Sequence, residues 1–540
     1  MGERVMSKRL SRIILVVIIA LQCGTMFYWA LRKANYYNDE YYTFEYAQNI
    51  NNDWNPFEYM TFSKDWKEEE WLSVKDLKTR FTVDEGESVF DHPFRQSFRR
   101  FFTQRNYMWI LNALESVIGD RLSPTWICIC LNIFIWILFQ FLLFYFLADC
   151  LRLDRRSSLL AVAMWGFCPF VLGLAVFCRF YVWALFLFLI VIVLHRLMWD
   201  CDSVVKNLLY EITAALAMYL AYKNSELIVF ACACLMLFFT IGLFARKRYA
   251  QALYYSLPLI GGGFVMMLKT TRFINAVLHP RAFAQGGSQQ IISAYSRHSA
   301  KMLDTPWSEK MTLMWQMIKE FGDSVSGSVY LLVIGVIFLI VLCFLMRKKL
   351  SWRPDGFIVI LSGVALAFWL FCGFYVFSHS RYHSVMFLLV MIVAWWAFDK
   401  LSRSHPLRKV FYKVALCLVV VGAVMPFFRR NVEYVYEGWK PFVETLSEYK
   451  DTKNLLVTND RFLVPYACVN LMDESNSLYA IFNSASFYGF SKLPDLPPTF
   501  LLWVEHDSYP PILQMGLNSR GYHVEPIVRA TYYDIYVCKR

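Results

Sequence analysis

Apolar residues in this chain gather in runs of about 20, the length a helix needs to cross roughly 30 Å of hydrocarbon. The runs lie at about 13–31, 123–148, 157–177, 179–198, 207–221, 225–244, 252–270, 327–346, 356–377, 383–399 and 410–428, about eleven in all. Between 98 and 118 the apolar Phe98, Phe101, Phe102, Tyr107, Trp109, Ile110 and Leu114 are interrupted by Arg99, Arg100 and Arg105, which predicts a helix lying along a membrane surface instead of crossing it. A flexible patch, Gly286-Gly287-Ser288-Gln289-Gln290, precedes a helix-like stretch at 308–321, and a loop of this kind can order over a bound substrate. After residue 428 the pattern becomes that of an α/β domain. Residues 454–460 and 499–504 read as buried strands, 511–519 as a helix closed by Gly521, and 522–528 with 532–537 as a strand pair.

The predicted class is therefore an α-helical polytopic membrane protein of about 11 transmembrane helices with a C-terminal extracytoplasmic α/β domain. Residues 1–428 form the transmembrane part, carrying outer loops at 32–122 and 271–326, and 429–540 form the second domain. Composition agrees: of 540 residues 57% are hydrophobic and 18% charged, far from the balance of a water-soluble domain. The first apolar run extends to Leu31 without a small-residue cleavage signature, so it reads as a retained anchor.

Lys and Arg set the orientation, because cationic short loops resist translocation. The N-terminus carries Arg4, Lys8, Arg9 and Arg12, and further clusters stand at Arg152, Arg155 and Arg156, at 246–248, at 347–353 and at 400–409. These are alternate connections when the spans number eleven, which puts the N-terminus and all of the clusters on the cytoplasmic side. The chain is then an integral protein of, we expect, a bacterial inner membrane, with the C-terminal domain periplasmic. The net charge of +12 is mostly inner-face anchoring and implies no nucleic-acid partner. No close Cys or His spacing reads as a zinc site, and of the 14 Cys only Cys468 and Cys538 fall in the outer domain, where a disulfide is allowed but not implied.

Charged residues at the outer ends of the spans are the candidates for chemistry. They are Asp39 and Glu40 within the aromatic stretch Tyr36–Tyr42, Asp91 and His92, Arg179 and Tyr181 at the short turn between two spans, Lys223, Lys269 and Arg272, and the cluster His379, Arg381, Tyr382 and His383. Each has an ordinary reading beside the functional one: a solvated loop start for the acids, interfacial snorkelling for the arginines, a polar cap for the histidines. A transporter or flippase of a lipid-linked saccharide would use similar cations, but it would usually carry internal repeats and ionisable groups deep within its spans, and neither pattern stands out here.

Four short motifs in the same order resemble the GT-C superfamily of glycosyltransferases, and within it the enzymes that use polyprenyl phosphate sugars, which include protein O-mannosyltransferases and the aminoarabinose transferases of lipid A. Asp39-Glu40 falls where that family has its acidic motif in the first outer loop, and Asp91-His92-Pro93 is similar to its later motif in the same loop. Cys178-Arg179-Phe180-Tyr181 resembles its Arg-x-Tyr, and Ser380-Arg381-Tyr382 its Arg-Tyr before a late span. One departure is plain: Phe94-Arg95-Gln96 follows Pro93 where the family usually has Pro-Leu-Tyr.

The resemblance implies a GT-C-like fold and an inverting hexosyl- or pentosyltransferase that moves a sugar from a polyprenyl phosphate donor to a hydroxyl on a glycan, lipid or protein acceptor. Catalytic roles would fall to Asp39 as base, with Glu40 or Asp91 orienting. Donor contacts would fall to His92, Arg179, Tyr181, Lys269, Arg272, His379, Arg381 and Tyr382. A monophosphate held by cationic side chains needs no obligatory metal, and a divalent metal stays open because some family members bind one. A ligase or polymerase acting on a diphosphate-linked oligosaccharide is the enzymatic alternative. The topology is directly checkable: a periplasm-dependent reporter fused after Asp460 is expected to be active and one fused at Arg246 silent, and activity in the reverse order would overturn the orientation.

Overall fold

The computed structural model describes all residues except 1–5, 49–69, 80–82, 84–85, 104, 120, 226, 259–303, 347–354, 376–378, 404, 459–462, 483–492, 494, 506–510 and 530–532. The chain divides into two compact units. The first is Met1–Leu31, Phe98–Tyr107 and Ile129–Glu433; the second is Arg32–Ser97, Met108–Cys128 and Tyr434–Arg540.

The first unit is helical. Among the described residues eight helices are long and apolar enough to cross a membrane, or up to ten if each of two bent pairs is counted as one span. These account for ten of the expected runs, while the run at about 252–270 lies, from residue 259 on, outside the described residues. Lys269, Arg272 and the Gly286–Gln290 patch lie there too.

Both bends have local causes. Arg155–Phe167 and Pro169–Val176 meet at 55°. Pro169 has no N–H to continue the ladder and pushes the preceding Cys168 into an extended conformation, with φ −68° and ψ 146°. Trp307–Val325 and the apolar helix that begins at Val329 meet at 95°, across a connection containing Gly327 at φ +77°. The expected helix at 308–321 is thus observed, set across the span that follows it.

The expected surface helix at 98–118 is instead two helices, Phe94–Thr103 and Asn106–Ile118. The second starts at Asn106, whose side chain accepts from Trp183 Nε1 at 2.5 Å and Asn224 Nδ2 at 2.8 Å and donates to the Leu220 carbonyl at 3.2 Å. A buried amide satisfied this fully fixes where the helix can begin.

The second unit is built on a six-stranded mixed sheet: β1 (Trp71–Ser73), β2 (Lys453–Thr458), β3 (Ser477–Phe482), β4 (Thr499–Glu505), β5 (His523–Arg529) and β6 (Tyr533–Lys539), in the order β1-β3-β2-β4-β6-β5. β3, β2 and β4 are parallel and the remaining pairs antiparallel. Alternate residues serve the two faces. Leu456, Leu501 and Trp503 join one core with the helix Leu463–Leu471, and Leu455, Val457, Phe500 and Leu502 join the other with the helix Pro511–Ser519. Cys468 and Cys538 are buried in these opposite cores and are both free, so no disulfide joins them.

Sequence periodicity anticipates β2, β4, β5, β6 and the helix 511–519, but not β1, β3 or the helix Leu463–Leu471. β1 comes from the segment between the first two spans, pairing antiparallel with β3, so the sheet closes on residues more than 400 positions away in sequence, Trp71 opposite Tyr479.

Asn112 ties together the segments of this unit that lie between the first two spans. Its amide donates to the carbonyls of Ala47 at 2.6 Å and Glu87 at 3.2 Å, and its oxygen accepts from the Val89 N–H at 2.9 Å. One turn further along the same helix, Glu115 is 5% exposed and neither carboxylate oxygen has a hydrogen-bond partner among the described residues. Burial pushes its carboxyl up to about 8, so it is held as the neutral acid at pH 7.

The folded protein therefore binds a proton at Glu115 that the unfolded chain has released above the ordinary carboxylate range. This contribution to stability is fully present below about pH 4.5 and is lost as pH rises toward about 8. Glu115→Gln is expected to raise the melting temperature of the purified protein at pH 8 and to flatten its decline between pH 5 and 8, measured as thermal unfolding in detergent; an unchanged pH profile would contradict the buried neutral acid.

Candidate active site

The acidic motif belongs to the second unit. Asn38–Gln48 is a helix whose first turn carries Asp39 and Glu40, a placement that suits the positive end of the helix dipole. Glu40 is fully buried. Its Oε2 accepts from the Tyr37 N–H at 2.7 Å, the reach-back of a capping box, and Lys33 Nζ lies 3.0 Å from each carboxylate oxygen. Lys33 also donates to the Tyr434 carbonyl at 2.6 Å. Tyr41, 1% exposed, sits in the sheet core with Val74, Trp503 and Tyr533. The two carboxylates of the motif are thus differently placed: Glu40 is engaged inside the fold, while Asp39 is half-buried at the start of the helix.

Asp91 is exposed. Its carboxylate accepts from the Ser88 N–H at 3.1 Å and its own N–H donates to the Ser88 carbonyl at 3.1 Å, closing a turn. His92 is half-buried, and at Pro93 the chain enters a helix directly, the Pro93 carbonyl accepting from Gln96 at 2.8 Å and Ser97 at 3.2 Å. The departure from the Pro-Leu-Tyr pattern is therefore a helix start. Asn112 joins the 87–89 turn to Ala47, which lies about 12 Å along the helix from Asp39 at 1.5 Å per residue.

The cationic candidates belong to the first unit and come together. Between Val176 and Tyr181 the chain is too short to stray: the Phe177 N–H donates to Gly173 at 3.0 Å and the Arg179 N–H to the Phe177 carbonyl at 2.6 Å. Phe177 and Tyr181 stack with ring centres 5.8 Å apart, and Phe180 and Tyr181 at 4.9 Å. The Arg179 guanidinium lies 4.8 Å from the centre of the Phe180 ring and that of Arg381 5.8 Å from the Phe177 ring. Both arginines are buried, at 8% and 4% exposure.

A third guanidinium, that of Arg105, also stands over the Phe180 ring, 5.4 Å from its centre. In the sequence Arg105 reads only as an interruption of an apolar helix, and no local signal marks it as part of the cluster. Aromatic faces hold guanidinium groups by cation–π attraction while leaving their N–H fork to bind oxygen.

Tyr382 and His379 flank Arg381. Its Nη2 donates to the Tyr382 hydroxyl at 3.4 Å, its Cζ is 5.0 Å from the Tyr382 ring, and the His379 and Tyr382 rings meet edge to face at 5.8 Å. Arg179, Tyr181, His379, Arg381 and Tyr382 thus share one unit, and Asp39, Glu40, Asp91 and His92 the other. Among the described residues no group of three or more His, Cys, Asp or Glu is placed to hold a metal ion. What the arginine cluster can do is bind an anion of phosphate geometry through several charge-assisted hydrogen bonds.

No protein-family model matches the chain, and no curated protein matches it. Among solved structures, ArnT from Cupriavidus metallidurans bound to undecaprenyl phosphate aligns with 97% of this chain and 97% of its own at 11% identity and a TM-score of 0.45. The same enzyme in the apo state aligns over the same shares at 12% identity and 0.42. The Archaeoglobus fulgidus oligosaccharyltransferase in complex with Zn and sulfate aligns with 97% of this chain and 72% of its own at 10% identity and 0.45. These are members of the GT-C superfamily that the sequence motifs resemble. At scores below 0.5 the likeness itself carries no argument about chemistry.

Proposed function

We propose that the protein is a membrane glycosyltransferase that moves a sugar from a polyprenyl phosphate donor to a hydroxyl acceptor on the extracytoplasmic face, with inversion at the anomeric carbon. The observation that carries this reading is the gathering of Arg105, Arg179 and Arg381 on the rings of Phe177 and Phe180. Concentrated positive charge at a partly desolvated place favours an anion, and a guanidinium fork matches phosphate oxygens. In an integral protein, the phosphate that can reach such a place while its tail stays in the bilayer is that of a lipid.

Roles then follow from chemistry. The acceptor hydroxyl attacks the anomeric carbon and the bond from that carbon to the phosphate oxygen breaks. The phosphate leaves with an added negative charge, which Arg179 and Arg381, with Arg105, stabilise as it develops. Asp39 takes the acceptor proton. Glu40, held by Lys33 and the Tyr37 N–H, keeps the segment in place. Asp91, His92, Tyr181, His379 and Tyr382 are supporting candidates, and Lys269 and Arg272 stay so on sequence grounds.

Asp39→Asn removes the proton acceptor and keeps the size, so sugar transfer from a labelled polyprenyl phosphate donor by purified protein is expected to fall roughly a hundredfold to ten-thousandfold while donor binding survives. Glu40→Gln is expected to act through stability, lowering the melting temperature more than Asp39→Asn does. A folded Asp39→Asn protein with parental turnover would remove the catalytic assignment.

A further inference from the structure

Arg381 is carried on a single 3-10 turn, Ser380–His383, too short to hold a buried cation in place by its own backbone. The turn is fastened at both ends by carboxylates from distant segments. At one end the Ser380 hydroxyl donates to Glu433 Oε2 at 2.5 Å. At the other, His383, 1% exposed, donates from Nδ1 to Glu320 Oε2 at 3.0 Å.

Each fastening also reaches what surrounds the turn. The backbone of Glu433 runs so close to the helix Pro169–Val176 that a Cβ at Gly173 would come within 3.1 Å of the Glu433 carbonyl oxygen. That helix is capped at its C-terminal end by Phe177, the ring under Arg381. Glu433 thereby sets the turn against the ring. Glu320 lies on Trp307–Val325, the helix bent 95° from the following span, and its neighbour Phe321 meets Phe387 at 5.4 Å while His383 meets the same ring at 5.9 Å.

We propose that Glu320 and Glu433 are positioning residues for Arg381, and that Glu320 couples the helix Trp307–Val325 of the second outer loop to phosphate binding through His383. This rests on the reading of Arg381 as a donor-phosphate ligand. Neither carboxylate touches the phosphate. Glu320 orients the imidazole, the imidazole fixes the C-terminal end of the turn, and the turn aims the guanidinium. A helix that shifted away from His383 would release the end of the turn and loosen the donor.

The test is a double-mutant cycle on undecaprenyl phosphate binding to the full-length protein in detergent, followed by tryptophan fluorescence with melting temperatures in parallel. Glu320→Ala is expected to weaken binding by about threefold to tenfold, the worth of one net hydrogen bond, and Glu320→Gln to restore it because the amide oxygen still accepts from Nδ1–H. Arg381→Ala alone is expected to lose about tenfold or more. Adding Glu320→Ala to Arg381→Ala is expected to cost nothing further, since a positioning residue has no effect without the group it positions.

Equal losses from Glu320→Ala with and without Arg381, or a Gln variant as weak as Ala, would overturn the positioning role while leaving the donor reading intact. Parental binding by Arg381→Ala would overturn the donor reading, and the positioning role with it. If Glu320→Ala does not fold, Ser380→Ala takes its place in the same cycle, with Ser380→Thr as the variant that keeps the hydroxyl.

Discussion

A guanidinium group cannot leave water without something to hold it, and in this protein two phenylalanine rings hold three of them. The rings are fixed because the chain between the helices ending at Val176 and beginning at Tyr181 is four residues long and internally hydrogen-bonded. That short connection in turn depends on Pro169, which ends one helix and starts another at a new angle. Like charges brought this close raise one another's cost, and an anion bound among them would lower it.

The second unit solves a different problem, that of holding a short acidic helix at a defined place. Lys33 and Glu40 are both almost wholly buried, and removing one partner of such a pair costs about 3 to 5 kcal/mol because the other charge is stranded. Tyr41 anchors the same turn in the sheet core. Successive side chains step about 100° around the helix, which leaves Asp39, next to a buried ion pair and a buried ring, as the half-buried carboxylate. Two adjacent acids with equal standing in the sequence thus have unequal standing in the fold.

What was legible in the sequence follows from length scales. A membrane helix needs some 20 apolar residues in a row, so the runs from 123–148 or 383–399 are readable without any partner. β2 and β4 likewise carry apolar runs, Leu455–Val457 and Phe500–Val504, buried on both faces. β1 is three residues long, and only its pairing with β3 makes it a strand. The same limit applied at the site. Arg179 and Arg381 sit at span ends where a cation is conspicuous, whereas Arg105, Glu320 and Glu433 acquire meaning only from Phe180, His383 and Ser380, each far away along the chain. The Glu40–Lys33 pair, seven residues apart, was within reach of local reasoning but is marked by no familiar spacing.

The central claim is that the arginine cluster binds a lipid phosphate, and the most direct measurement is an experimentally determined structure of the protein with undecaprenyl phosphate bound. The account predicts phosphate density within hydrogen-bonding distance of the guanidinium groups of both Arg179 and Arg381. Phosphate density held by other side chains, with these two arginines still folded onto Phe177 and Phe180 and clear of it, would contradict the account.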